Sequence, residues 1–276
     1  MTTFSRNKFF LLCLLASLIF LWPRVKASAE DFFIWQSFDF PLSADQKLVS
    51  PAGEVLINIP AGAIDSGRLF VKATTLVAKD QISQFFNDPS PLSPASDLYA
   101  LELELPPGQA LAQPLTVNLK YQDSSYFQEL YYYDEVELAF KKLSASRDTL
   151  KKIISFSVNS QPKIIFGLFN EPELVGEASW YVHKRYKKDL IAASRDFAQD
   201  ARLKIQNLDN GKEVTVIVKD YGPKACQDWT EKEQKKMGPC RERVLDLSKA
   251  AFSQIASVRA GIIKIKVTPL IESKTE

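Results

Sequence analysis

Histidine is almost absent from this chain: His183 is the only one in 276 residues. Cysteine is scarce too, with Cys13, Cys226 and Cys240. Residues 30–173 contain neither residue type. That excludes Cys–His nucleophilic catalysis and a His/Cys metal centre from this long segment. Cys226 and Cys240 lack C-x-x-C spacing and a neighbouring histidine, so a zinc site is not expected, nor is a cofactor site. After residue 22 no apolar run approaches the roughly 20 residues that a membrane-spanning helix needs. Charge of one sign does not dominate either, since the formal net is +2. With 46% hydrophobic and 25% charged residues, the composition excludes a wholly disordered, collagen-like or coiled-coil protein. The length admits one large domain or two modest ones.

What is present begins with a leader. Arg6 and Lys8 precede the apolar run 9–22, and Ala27-Ser28-Ala29 follows Pro23. A basic start, a short apolar core and small residues at −3 and −1 predict a secretory signal peptide over 1–29, cleaved before Glu30. The rival reading is a retained N-terminal anchor. Cys13 lies inside the apolar core without the small residues that precede a lipidated cysteine. The mature chain is therefore expected to be exported, to the periplasm, cell wall or exterior, with no transmembrane segment. Nucleic acid is a poor partner for such a protein.

Residues 30–173 are predicted to form an antiparallel β-sandwich. Runs at 55–59, 69–77, 98–105, 115–121, 130–136, 153–158 and 164–169 alternate apolar and polar positions, with β-branched and aromatic enrichment. Pro60-Ala61-Gly62, the Pro/Ser stretch 87–96, Pro106-Pro107-Gly108 and Asp123-Ser124-Ser125 punctuate them. Short strands at this spacing favour a sandwich, and no segment here has helical periodicity. Asp134, Glu135 and Glu137 read as a solvated turn. Tyr131-Tyr132-Tyr133 offers rings that stack on sugars, but alternation sends at least one of them into the core. Ile59-Pro60-Ala61-Gly62-Ala63 resembles the I-P-x-G-A turn of immunoglobulin-like sandwich modules of surface proteins. That implies a spacer or an adhesion surface for an envelope protein partner.

Residues 174–276 form a second predicted domain after the short linker 170–175. Asp209-Asn210-Gly211 between two alternating runs predicts a hairpin, because Asn-Gly suits a type I′ turn. Val214, Val216 and Val218 give the next strand one apolar face, and Gly222-Pro223 ends it. Ser248 is placed to N-cap a helix of about ten residues. Leu247, Ala251, Ile255 and Val258 would form its apolar stripe.

This region also carries motifs: Gly176-Glu177-Ala178-Ser179-Trp180-Tyr181, Asp220-Tyr221-Gly222-Pro223 and Asp246-Leu247-Ser248-Lys249-Ala250-Ala251. In this order and spacing they resemble the rare lipoprotein A-like (RlpA-like) double-psi β-barrel family, over residues 176–270. The resemblance implies a six-stranded double-psi barrel with a short helix; following the predicted sandwich, it makes the chain all-β. It also implies action on bacterial cell-wall glycan. Members include lytic transglycosylases, which cleave the MurNAc–GlcNAc linkage without adding water. Relatives of the same topology, such as plant expansins, bind wall glycan without hydrolysing it.

Acid catalysis needs a carboxyl group to protonate the leaving oxygen. Asp220 matches the family's D-x-G-P aspartate and is the candidate acid/base; it also suits a backbone-capping role within its turn. The chain departs from the family elsewhere. It has no T-A-x-G-E, which supplies a glutamate in active members, and Ile191-Ala192-Ala193-Ser194 puts Ser194 where T-A-A-H carries histidine. No base adjoins Ser194 in sequence, which excludes it as a nucleophile. His183 lies outside the motif, in the basic loop with Lys184, Arg185, Lys187 and Lys188.

Two readings follow. In one, Trp180, Tyr181, His183, Lys184, Arg185 and Ser194 contact peptidoglycan or another anionic wall glycan without cleaving it. In the other, Asp220 drives lytic cleavage, with Asp189 and Asp246 as carboxylates to inspect beside it. Cys226 and Cys240 read as one disulfide of an exported protein, closing a loop that contributes about 3 kcal/mol. The charge is unevenly distributed: residues 30–173 hold 11 basic and 19 acidic side chains, and residues 174–276 hold 20 and 14. The glycan reading falls on the basic part.

Overall fold

A computed structural model describes residues 33–82, 92–159, 161–224, 226, 230 and 243–270. The leader and Cys240 lie outside these residues.

Every strong alternating run forms a strand, and the same alternation decides which side chains are buried. In β3 (Val55–Ile59), Val55, Ile57 and Ile59 are buried while Leu56 and Asn58 are not. β7 (Leu115–Lys120) and β11 (Ile153–Val158) repeat the pattern. With β2 (Gln46–Val49) and β10 (Ser146–Asp148) they make one antiparallel sheet, ordered β10-β11-β7-β3-β2. The facing sheet runs β1-β4-β6-β12-β8-β9, with β5 paired to β12. Its strands are β1 (Phe33–Phe40), β4 (Gly67–Val77), β5 (Ser93–Pro94), β6 (Leu98–Glu104), β8 (Phe127–Asp134), β9 (Ala139–Lys142) and β12 (Lys163–Glu171).

The two sheets share one core. Ile57, Ile59, Leu115 and Leu119 from one meet Leu69, Leu101, Leu130 and Phe166 from the other. A smaller cluster on the outer side of the larger sheet joins Val77, Ile82, Leu98, Tyr131 and Phe169. This corrects the sugar-stacking reading of the tyrosine triplet. Tyr132 packs on the main core, and Tyr131 and Tyr133 on the outer cluster, so none stands free for a sugar ring. Asp134 caps its turn by accepting the N–H groups of Val136 and Glu137, and it pairs with Lys141.

Only Pro172 and Glu173 separate β12 from β13 (Leu174–Tyr181), the first strand of a closed barrel ordered β13-β17-β14-β16-β15-β18. The others are β14 (Ile191–Ala193), β15 (Arg202–Asn207), β16 (Glu213–Asp220), β17 (Leu245–Ser248) and β18 (Ile263–Leu270). β13 pairs parallel with β17, and β14 parallel with β16; the remaining pairs are antiparallel. Ala178, Leu203, Ile205, Val216, Leu247, Ile265 and Val267 fill the interior. Gly176 is needed for close approach, because a Cβ there would meet Val244 Cγ1 at 2.6 Å.

The β15–β16 hairpin forms, but not through the expected two-residue type I′ turn. Five residues lie between the strands, and of Asn210 and Gly211 only Gly211 has positive φ (72°). The reason is tertiary. Asn207 and Asn210 both direct their amides to the carbonyl of Ile255, capping helix α1 (Lys249–Ile255). Ser248 caps its other end, accepting the N–H of Ala251 at 3.2 Å. The helix has seven residues, shorter than expected, because Ala256 is extended and Ser257 caps a separate 3₁₀ turn, Val258–Ala260. Its stripe of Ala251, Phe252 and Ile255 closes one side of the barrel.

Sandwich and barrel touch through a defined contact. Phe127 of β8 belongs to the barrel's apolar cluster and lies 6.4 Å from the Phe197 ring. The N–H of Ala198 donates to the carbonyl of Ser124 at 2.7 Å, and Lys152 Nζ donates to that of Arg195 at 2.9 Å. Residues 32–276 accordingly form a single contact unit. Among the described residues, no helix is long and apolar enough to cross a membrane.

Candidate functional site

Strand parity sorts the first motif. Ala178 and Trp180 share the inward side of β13, while Ser179 and Tyr181 face the other way. Ala178 is fully buried. Trp180 packs against the barrel core and donates its indole N–H to the carbonyl of Val258 at 3.0 Å, with Lys249 Nζ 5.7 Å from the ring. Trp180 is thus a strut under the helix and 3₁₀ turn, and its hydrogen-bonding edge is occupied.

The outward residues meet the other two motifs. Parallel pairing sets Ser179 opposite Asp246 and Tyr181 opposite Ser248. Ser179 donates to Asp246 Oδ1 at 2.5 Å, and Arg243 Nε donates to the same oxygen at 3.0 Å. Asp246 is therefore held by two donors. The Ser179 contribution requires the cross-strand register, which sequence spacing alone did not reveal, whereas Arg243 lies only three residues before Asp246.

Asp220 ends β16, where a register shift beside Ala193 brings it against β14. One carboxylate oxygen accepts its neighbour's N–H, from Tyr221 at 2.8 Å, and its backbone carbonyl accepts from Ser194 N at 3.1 Å. The other carboxylate oxygen faces His183, with Nε2 3.8 Å away. One oxygen thus caps the turn, and the other faces the imidazole.

His183 reaches this position because its own loop holds it. Its Nδ1 accepts the N–H groups of Arg185 at 3.1 Å and Tyr186 at 3.0 Å. With Nδ1 engaged by these two backbone donors, the ring directs its Nε2 edge toward Asp220. The imidazole lies 4.8 Å from the Tyr186 ring, tilted by 32°, and meets Tyr181 edge-on at 6.1 Å. The basic loop therefore folds back to place its imidazole against Tyr181, Tyr186 and Asp220.

Tyr181 completes this wall. Its hydroxyl oxygen is buried and has no hydrogen-bond partner among the described residues. Burial, then the charges of Asp220 and Asp246, push its pKa up to about 12. At neutral pH it is a protonated phenol with an unused donor. Such a buried unpaired group costs on the order of 1–3 kcal/mol.

Lys184 and Arg185 are exposed at the rim, with the Arg185 guanidinium 5.5 Å from the Tyr186 ring centre. Beyond Tyr186 the surface continues into an open cleft of about 730 Å³ that includes Asp189 and is bordered by Lys188, Arg202 and Lys219. Asp189 thus lines the neighbouring cleft, and its backbone carbonyl accepts from Ser248 Oγ at 2.7 Å.

Ser194 departs from the expected binding set. It is buried, and its hydroxyl accepts the N–H groups of Asp196 at 3.1 Å and Phe197 at 3.2 Å. A short side chain turned back on its own loop cannot reach a ligand, so this position supplies no replacement for the family's histidine. Cys226 is described and Cys240 is not, so the expected bridge falls partly outside the described residues. Among the described residues, no group of three or more His, Cys, Asp or Glu side chains is placed to hold a metal ion.

Comparison with known proteins agrees with the barrel. Residues 174–267 match the double-psi β-barrel family described as lytic transglycolase. This match is to about a third of the chain, and over that span the barrel is of the RlpA-like kind. A solved structure, the Streptomyces papain inhibitor, aligns at 17% identity and a TM-score of 0.27, covering 36% of this chain and 94% of its own. No curated protein matches the chain.

Proposed function

We propose that this is an exported cell-wall protein whose barrel binds peptidoglycan glycan strands, with the β-sandwich as a docked spacer. The carrying observation is the wall formed by Tyr181, His183 and Tyr186 beside Asp220. Aromatic faces suit the C–H faces of pyranose rings. The Asp220 carboxylate, which is partly exposed, accepts sugar hydroxyls. Lys184 and Arg185 at the rim attract the carboxylates of stem peptides, an attraction that added salt weakens. Export is supported by the leader-like residues 1–29 and by Cys226, which we read as one half of a disulfide. We assign Cys240 as its partner.

The His183–Asp220 pair also favours a second reading. The barrel lacks the family's motif histidine, yet an imidazole stands 3.8 Å from the motif aspartate. As a lytic transglycosylase, the chain would use Asp220 to pass a proton to the leaving glycosidic oxygen and to accept one from the muramyl 6-hydroxyl, with His183 positioning the carboxylate. Incubation with purified peptidoglycan separates the readings. Sedimentation with the wall and no 1,6-anhydro-muropeptides supports binding alone. Anhydro products that disappear in Asp220→Asn establish cleavage. Neither sedimentation nor cleavage overturns both.

A further inference from the structure

The outer face of the larger sandwich sheet carries a second aromatic surface, remote in sequence from the barrel motifs. Antiparallel register sets Trp35 directly beside Lys72, and Lys72 beside Glu102, across β1, β4 and β6. The next row on the same face is Ser37, Phe70 and Glu104. Directly paired residues share a face, and positions two apart share it again. The inward neighbours confirm the parity, since Phe38, Val71 and Leu103 are core residues.

Trp35 is 68% exposed on this face. It borders a cleft of about 320 Å³ lined by Trp35, Phe70, Lys72, Glu102 and Glu104. That volume lies near the lower end of small-ligand clefts, ~300–1,000 Å³. Leaving an indole in water forgoes roughly 1.5–3 kcal/mol of burial, the range for a large apolar side chain. The chain instead surrounds it with hydrogen-bonding groups. Lys72 Nζ lies 3.4 Å from a Glu102 oxygen, and both side chains line the cleft.

The geometry points to a saccharide site: the Trp35 ring stacks on the C–H face of a pyranose, and Lys72, Glu102 and Glu104 bond its hydroxyl or amide substituents. The occupant must be amphipathic within a few ångströms, apolar on one face and rich in hydrogen-bonding groups around its rim. A β-1,4-linked chain of equatorially substituted pyranoses has that character. A protein partner needs a broader apolar area than one indole and one half-buried phenyl ring amid charges. The site does not depend on the barrel groove, and it makes the sandwich a second glycan contact instead of a passive spacer.

The test titrates the chain without its leader with N-acetylchitotetraose, reading affinity by calorimetry. It is run in the wild type and in a His183→Ala, Asp220→Asn background that removes the barrel's polar pair. We expect saturable binding in both, weakened at least tenfold by Trp35→Ala and largely retained by Trp35→Tyr, which keeps a stacking ring. An unchanged thermal midpoint in Trp35→Ala shows that folding is intact. No saccharide binding, or Trp35→Ala binding as tightly as the parent, overturns the proposal. So does a dimer that Trp35→Ala dissociates, which would make a second copy the occupant. If the barrel variants lose binding while Trp35→Ala keeps it, this inference fails and the groove reading stands.

Discussion

Arg147 of the sandwich reaches to 3.9 Å from Asp196 of the barrel, and both side chains are largely enclosed. The guanidinium lies over the rings of Tyr121 at 4.8 Å and Phe127 at 4.4 Å, and it also donates to the Gln128 carbonyl. Among the described residues, Asp196 Oδ1 has no hydrogen-bond partner. Sandwich and barrel are thus joined around a paired but incompletely solvated carboxylate.

That carboxylate makes the junction sensitive to pH. Burial pushes the pKa of Asp196 up, outweighing the opposing pull of Arg147, Arg195 and Lys152. In the window between the ordinary carboxylate value of 3.8 and the raised folded value, the folded chain binds more protons than the unfolded chain. The contribution of Asp196 to stability therefore grows as pH falls through that window, and its penalty is complete above it. Asp196→Asn should raise the thermal midpoint at pH 7, with the gain shrinking in acid and vanishing below pH 3.8. A lower midpoint at pH 7 would mean that the pair with Arg147 outweighs the burial penalty.

Ser248 serves three elements at once. It caps α1, donates to the Asp189 carbonyl and accepts the N–H of Ile191 at 3.4 Å. Ser248→Ala should cost about 1–2 kcal/mol in a denaturant titration, because a cap is lost and the buried N–H of Ile191 loses its acceptor. A cost within a few tenths of a kcal/mol would show that water replaces those bonds.

The strands with clean alternation were legible in the sequence, because burial on one face imposes the period. β1 was not: it buries Phe38 and Phe40 but leaves Trp35 on the opposite face, so its apolar residues do not alternate cleanly. The motifs located Asp220 and Asp246, yet not their surroundings. Ser179 meets Asp246 only through a parallel pairing, and His183 meets Asp220 only because two backbone donors hold its ring. Ser194 was misplaced as a ligand group because alignment with T-A-A-H gives position, not side-chain direction. The hairpin at Asn210 lengthened because its amide serves the helix end instead of a tight turn.

The proposed Cys226–Cys240 bridge predicts a mass two units below that of the fully reduced mature chain, and no free thiol. Cys226→Ser should lower stability by about 3 kcal/mol in the chain-entropy account. Two alkylatable thiols in the secreted protein would contradict the bridge.

The central claim is that the Tyr181–His183–Tyr186 wall beside Asp220 holds wall glycan. Its most direct test is co-sedimentation of the mature chain with purified peptidoglycan, comparing the wild type with His183→Ala in the Trp35→Ala background. Without the sandwich's indole, binding should persist and then weaken about tenfold on loss of His183, equivalent to roughly 1.4 kcal/mol. Equal sedimentation of the two proteins, or none by either, would contradict it.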